Sequence, residues 1–191
     1  MPSNNVTVRF AALDAPALML VYGVLRLIDG LDGVRGPGGL AWTAGHLAFL
    51  ASMVLFGVLT VGLRGLAPPG ARSVAAVATG MTLAGVACFL WVIAGDLSAG
   101  FRAAAPLPEQ LQAAGPLLFA LGMLTMLGLM VAARRAPVWS PLVFGAGMVA
   151  LTLDAGNLPL AALILLAALA PLARPVRRRP GLAYAESRRY V

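Results

Sequence analysis

The chain has no lysine, one histidine, one cysteine and seven acidic residues in 191 positions, and each shortage excludes something. A single His46 cannot supply bis-histidine haem ligation, a zinc triad or a histidine-rich di-iron site. Cys88 stands alone, so there is no intramolecular disulfide, no cysteine-based metal site and no redox pair. The patterns H-E-x-x-H, G-x-S-x-G and the phosphate-binding P-loop are all missing. Ser52 and His46 share one apolar run, but six positions turn a helix through about 240°, so they do not form a dyad on one face. No cofactor and no metal are expected.

Charge is also scarce, at 11% of residues against 60% apolar. A soluble domain carries roughly 25% charged residues, and a chain this apolar would leave far more hydrophobic surface in water than soluble monomers tolerate. The expected solvent is lipid, and the expected class is an all-α membrane protein. The net charge of +7 comes from fourteen arginines. They sit between apolar runs and in the tail, without the basic stripe and interleaved aromatics of a nucleic-acid surface, so nucleic acid is excluded as a partner. Arginine without lysine, with abundant Ala, Gly, Leu and Val, resembles the codon bias of high-GC bacteria and favours a bacterial plasma membrane.

Six apolar runs are present, at 15–28, 40–63, 74–94, 113–133, 138–153 and 158–172. The second, third and fourth would measure about 36, 32 and 32 Å as helices, enough for a hydrocarbon core of roughly 30 Å. The others are short. The last two flank Asp154-Ala155-Gly156-Asn157, a turn-like tetrapeptide, and are expected as a tight hairpin that either spans or dips in shallowly from one face. Asp14 before Pro16 reads as the cap that starts the first helix.

Cytoplasmic loops carry the excess of arginine. With the N-terminus inside, six spans leave only Arg26, Arg35 and Arg102 outside, whereas five would put six tail arginines there. The expectation is therefore one domain, 1–173, of six transmembrane helices with both ends cytoplasmic. A basic tail, 174–191, follows, broken by Pro175, Pro180 and Gly181 and expected to be disordered in water. Its Arg174, Arg177, Arg178 and Arg179 suit anionic lipid headgroups.

Three features could carry function. Ala76, Gly80, Ala84 and Cys88 recur every four residues as a ridge of small side chains, suited to close helix packing within the bundle or to a homodimer seam. Arg26, Asp29, His46, Asp96 and Asp154 fall near the same predicted outer level, where they could converge on an outward-facing polar pocket. A proton or ion path through the bundle would be lined only by Thr79, Thr82 and Thr125, an unusual lining for a monomer. Ala44-Gly45-His46-Leu47-Ala48-Phe49 and Ala114-Gly115-Pro116-Leu117-Leu118-Phe119 also share A-G-x-L-x-F, which is read as coincidence in a chain this rich in Ala, Gly and Leu.

The stretch Phe89-Leu90-Trp91-Val92-Ile93-Ala94-Gly95-Asp96-Leu97, with Pro106-Leu107-Pro108, Ala114-Gly115-Pro116 and Ala170-Pro171-Leu172-Ala173-Arg174, resembles small polytopic membrane proteins of high-GC bacteria that carry no known activity. The resemblance implies a helical bundle and brings no site residues. The first expectation for function is a non-catalytic accessory or interaction protein, acting with a membrane partner or as a homo-oligomer. A small-solute or ion transporter using the polar pocket comes second, and a membrane-embedded enzyme last.

Overall fold

The structure is a computed structural model and describes residues 3–30, 39–153 and 155–174. The described residues are helical throughout, with short turns and no strand: α1 (Ser3–Asp29), α2 (Leu40–Arg64), α3 (Arg72–Leu97), α4 (Ala99–Ala104), α5 (Glu109–Ala132), α6 (Trp139–Leu153) and α7 (Leu158–Leu169), the last extended by a 3-10 turn, Ala170–Ala173. Four of them, α1, α2, α3 and α5, are long and apolar enough to cross a membrane; α6 and the extended α7 are apolar but shorter.

The six apolar helices stand in a ring in chain order, α1-α2-α3-α5-α6-α7, and α7 closes the ring against α1. Neighbours run antiparallel, so the ring has a His46 end and an Arg9 end. On α2, for example, Gly45 meets Tyr22 of α1 near the His46 end while Gly62 meets Val8 near the Arg9 end. The side chains that fill the centre are large and apolar, with Met53, Phe56, Met123, Met126 and Phe144 fully or almost fully buried. Phe119 is the hub: its ring lies 5.2 Å from Phe56 and 5.8 Å from Phe89, both edge-on, and 6.3 Å from Phe144. Edge-to-face pairs of this kind add to simple area burial.

The first helix begins a dozen residues earlier than its apolar run suggests. Asp14 is therefore not a cap but an exposed residue in mid-helix, and Pro16 lies inside α1. Pro16 is accommodated in a helix whose inner face, Val8, Ala11, Ala12 and Ala15, is already packed. Beside it the Ser52 hydroxyl donates to the Ala15 carbonyl at 2.7 Å, joining α1 to α2 inside the bundle.

Among the glycines, those between α3 and α5 admit the closest approach of a neighbouring backbone. A Cβ on Gly85 would lie 2.6 Å from the Gly115 carbonyl oxygen, and one on Gly122 would lie 2.7 Å from that of Ala78. The ridge expected to pack α3 is only partly used: Cys88 touches Gly115, but Gly80 and Ala84 face outward, and nothing lies within 4 Å of a Cβ on Gly80. Packing instead runs along Ala75, Ala78, Thr82 and Gly85, the adjacent stripe. Both stripes have small side chains, and only the partner decides which of them is covered.

Candidate functional site

At the His46 end four helices deliver one polar cluster. His46 projects from the second turn of α2 and is buried. Its Nδ1 lies 2.8 Å from the Trp42 carbonyl oxygen, one turn back. A carbonyl only accepts, so Nδ1 carries the hydrogen and Nε2 is the nitrogen turned outward. Nε2 lies 3.6 Å from Asp96 Oδ2. Two rings pack on the imidazole, with centroids at 3.9 Å for Trp42 and, in a T-shaped arrangement, 5.3 Å for Tyr22.

Asp96 lies near the end of α3, and its other oxygen accepts from Arg102 Nη2 at 2.5 Å. Arg102 reaches it because α4 folds back on α3. Ser98 caps α4 by accepting from the Phe101 amide at 3.2 Å. Trp91 Nε1 donates to the Ala105 carbonyl at 2.8 Å, and Arg102 Nε donates to that of Gly95 at 3.1 Å. Clefts of about 270 and 310 Å³ flank the pair, and both are lined by Asp96 and Arg102. The Asp96 side chain is one-third exposed and that of Arg102 nearly two-thirds, so water screens their attraction and the pair orients more than it stabilises.

Of the five residues expected to converge, His46 and Asp96 meet. Arg26 joins indirectly, its Nη1 donating at 3.1 Å to the hydroxyl of the same Tyr22 whose ring edges His46. Asp29 ends α1 beside the N-cap of α2, where a Cβ on Gly39 would come 3.3 Å from its Oδ1. Asp154 lies outside the described residues, as do Arg177, Arg178 and Arg179 of the tail; Arg174 is exposed just after the 3-10 turn. Tyr22, Trp42 and Arg102 complete the cluster without having been singled out. The signals for them were local: Tyr22 stands four residues before Arg26, Trp42 four before His46, and Ser98 is an N-cap residue type that opens the helix carrying Arg102.

The cluster has a base and an acid but no hydroxyl or thiol hydrogen-bonded to His46 among the described residues, so nothing in it is set up as an activated nucleophile. Among the described residues no three His, Cys, Asp or Glu side chains gather as metal ligands. Deeper in the bundle the buried hydroxyls turn back on their own helices. Thr60 donates to Phe56, Thr79 to Ala75 and Thr82 to Ala78, each to the carbonyl one turn earlier.

Below the cluster lies a chamber of about 240 Å³. Every helix of the ring lines it, through residues such as Tyr22, Phe49, Phe89, Phe119, Met148 and Leu165. Tyr22 belongs to both places, stacked flat on Phe49 with centroids 4.6 Å apart while its edge meets His46. The two A-G-x-L-x-F segments sit correspondingly, since Gly45 and Gly115 each admit a neighbouring helix while Phe49 and Phe119 both wall the chamber.

No family model matches the chain, and neither the curated proteins nor the solved structures contain a match to it.

Proposed function

We propose that the chain is a six-span protein of a bacterial plasma membrane, with both ends cytoplasmic, that works without catalysis as an accessory or interaction protein. The span count draws on α7. Its Pro159 adjoins Gly23 of α1, and at the far end Arg9 Nε donates to the Ala173 carbonyl at 2.7 Å. The extended helix thus follows α1 for fourteen residues, about 21 Å of rise, which speaks for a near-complete crossing and against a shallow dip. Orientation rests on the arginine distribution.

The observation that carries the functional reading is the closure of the buried threonines. With Thr60, Thr79 and Thr82 each bonded to its own helix, the core of the described residues offers no row of free polar groups to conduct an ion or pass a polar solute, and the Ser140 hydroxyl on α6 is an isolated exception. The outward stripe at Gly80 and Ala84 gives a partner helix room for close approach. Gly80→Leu is the test, because a side chain there meets nothing within the bundle. The variant should keep wild-type thermal stability and lose a stoichiometric membrane partner, or its own homodimer, in mild-detergent purification. Unchanged association would count against this face.

A second reading, a small-solute or ion transporter, draws on the clefts beside Asp96 and Arg102. Reconstituted liposomes separate the two: solute-specific flux above empty vesicles, abolished by Asp96→Asn, would replace the accessory reading.

A further inference from the structure

The chamber beneath Tyr22 is built as a binding site, and we propose that it takes a compact aromatic hydrocarbon of about ten heavy atoms, drawn from the bilayer. Size comes first. A dry apolar cavity of about 150 Å³ holds one benzene, so about 240 Å³ suits two fused rings.

Lining chemistry comes second. The walls are rings and thioethers: Tyr22, Phe49, Phe89 and Phe119 with Met19, Met53 and Met148. Aromatic faces and edges favour a flat aromatic guest, and methionine adapts its shape to one while adding sulfur–ring contacts. Polar atoms in the lining are few. The Tyr22 hydroxyl accepts from Arg26 and the Thr152 hydroxyl donates to the Val149 carbonyl at 2.8 Å, which leaves one hydroxyl hydrogen and the hydroxyl lone pairs for a guest. An amide or a charge buried here would be left mostly unpaired, which selects against polar analogues.

Access comes third. Of the residues lining the chamber only Thr152, on α6, is exposed; Leu151 beside it and Pro116 on α5 are half-buried, as are Phe49 on α2 and Phe89 on α3. The exposed residue stands on α6, and α5 and α6 are the neighbouring pair with the sparsest contact in the ring, which puts the mouth between them. In a membrane that gap faces hydrocarbon, where apolar molecules concentrate, and not the water beyond the His46 cluster.

The test uses the full chain in lipid nanodiscs with 1-fluoronaphthalene as probe, followed by fluorine NMR and compared with empty nanodiscs. Saturable binding of one probe per chain is expected. Leu151→Trp, which fills the chamber from its rim, should weaken binding at least tenfold. Leu142→Trp, on the same helix at an exposed position outside the lining, should stay within twofold. Met148→Phe fills the chamber from its wall and serves if Leu151→Trp does not fold. 1-Naphthamide should bind at least tenfold more weakly than the fluoronaphthalene. Uptake that rises linearly and equally with and without protein would overturn the proposal. So would one lipid molecule retained per chain by native mass spectrometry together with no probe binding, since the guest would then be an acyl chain.

Discussion

Helix α5 has α3 on one side and α6 on the other, and the two contacts are made differently. Toward α3 its glycines let the backbones close in, so that a Cβ on Gly122 would collide with Thr82 Oγ1 and lie 2.7 Å from the Thr82 amide nitrogen. Toward α6 the fit is ordinary. A Cβ on Gly145 would lie 3.7 Å from a Leu124 methyl, a normal van der Waals distance, and further along the same pair stands the chamber mouth. In lipid no hydrophobic drive brings helices together, so association depends on how closely they pack. Of the two sides of α5, the α3 side is therefore the tightly packed one, and the α6 side is where volume is left for something else.

Substitutions break this contrast in order of size. The largest effect is expected at Gly122→Ala, which must move either a backbone or Thr82 and should cost about 3 kcal/mol, at the upper end for overpacking. Equilibrium unfolding in mixed micelles would read it, and a loss below about 1 kcal/mol would show that the seam yields. Next comes a pair of serines of opposite sign. Ser52→Ala removes the donor to Ala15 and should destabilise by about 1 kcal/mol, whereas Ser140→Ala should stabilise by about as much. The Ser140 hydroxyl on α6 is fully buried and has no hydrogen-bond partner. The same unfolding titration checks both.

The turn between α5 and α6 should give a smaller gain. Arg134 holds φ of 56°, a left-handed conformation, so that the Arg135 amide can donate to the Met130 carbonyl at 2.8 Å. Glycine adopts that conformation without strain, though its extra freedom when unfolded offsets part of the benefit. Arg134→Gly is expected to raise stability by about 0.5 kcal/mol, visible as a small increase in thermal midpoint. Smallest of all is Gly145→Ala, expected within about 0.5 kcal/mol of wild type in the same assay, since the space exists and alanine favours the helix. A loss as large as that at Gly122 would erase the distinction between the two sides of α5.

The long apolar helices were legible because a run of more than twenty apolar residues has few other ways to fold in lipid. The start of α1 was not, since Arg9, Asp14 and Pro16 all read as signals of a helix not yet begun. The folded ring accommodates each: Arg9 reaches a carbonyl on α7, Asp14 faces outward, and Pro16 is packed beside the Ser52–Ala15 bond. On α3 the four-residue ridge was real as a pattern. Its direction was hidden because Ala and Gly suit a seam and a lipid face almost equally. His46 and Asp96 could be placed at one level from helix length alone. Arg102 could not, because its position depends on the short fold-back of α4, where a single Ser98 cap and the Trp91 hydrogen bond outweigh a weak local pattern. The chamber had no signature at all, since it depends on where six helices fail to meet.

Because the ring runs in chain order, assembly has a schedule. Each helix finds its neighbour as soon as the next one is made, except α1, whose second partner, α7, is synthesised last. Until then the side of α1 around Gly23, which later receives Pro159, is left to lipid, and the Arg9 side chain waits for the Ala173 carbonyl. A chain truncated before Leu158 should therefore hold five helices of the ring with an open edge along α1, a state that insertion factors and proteases would recognise.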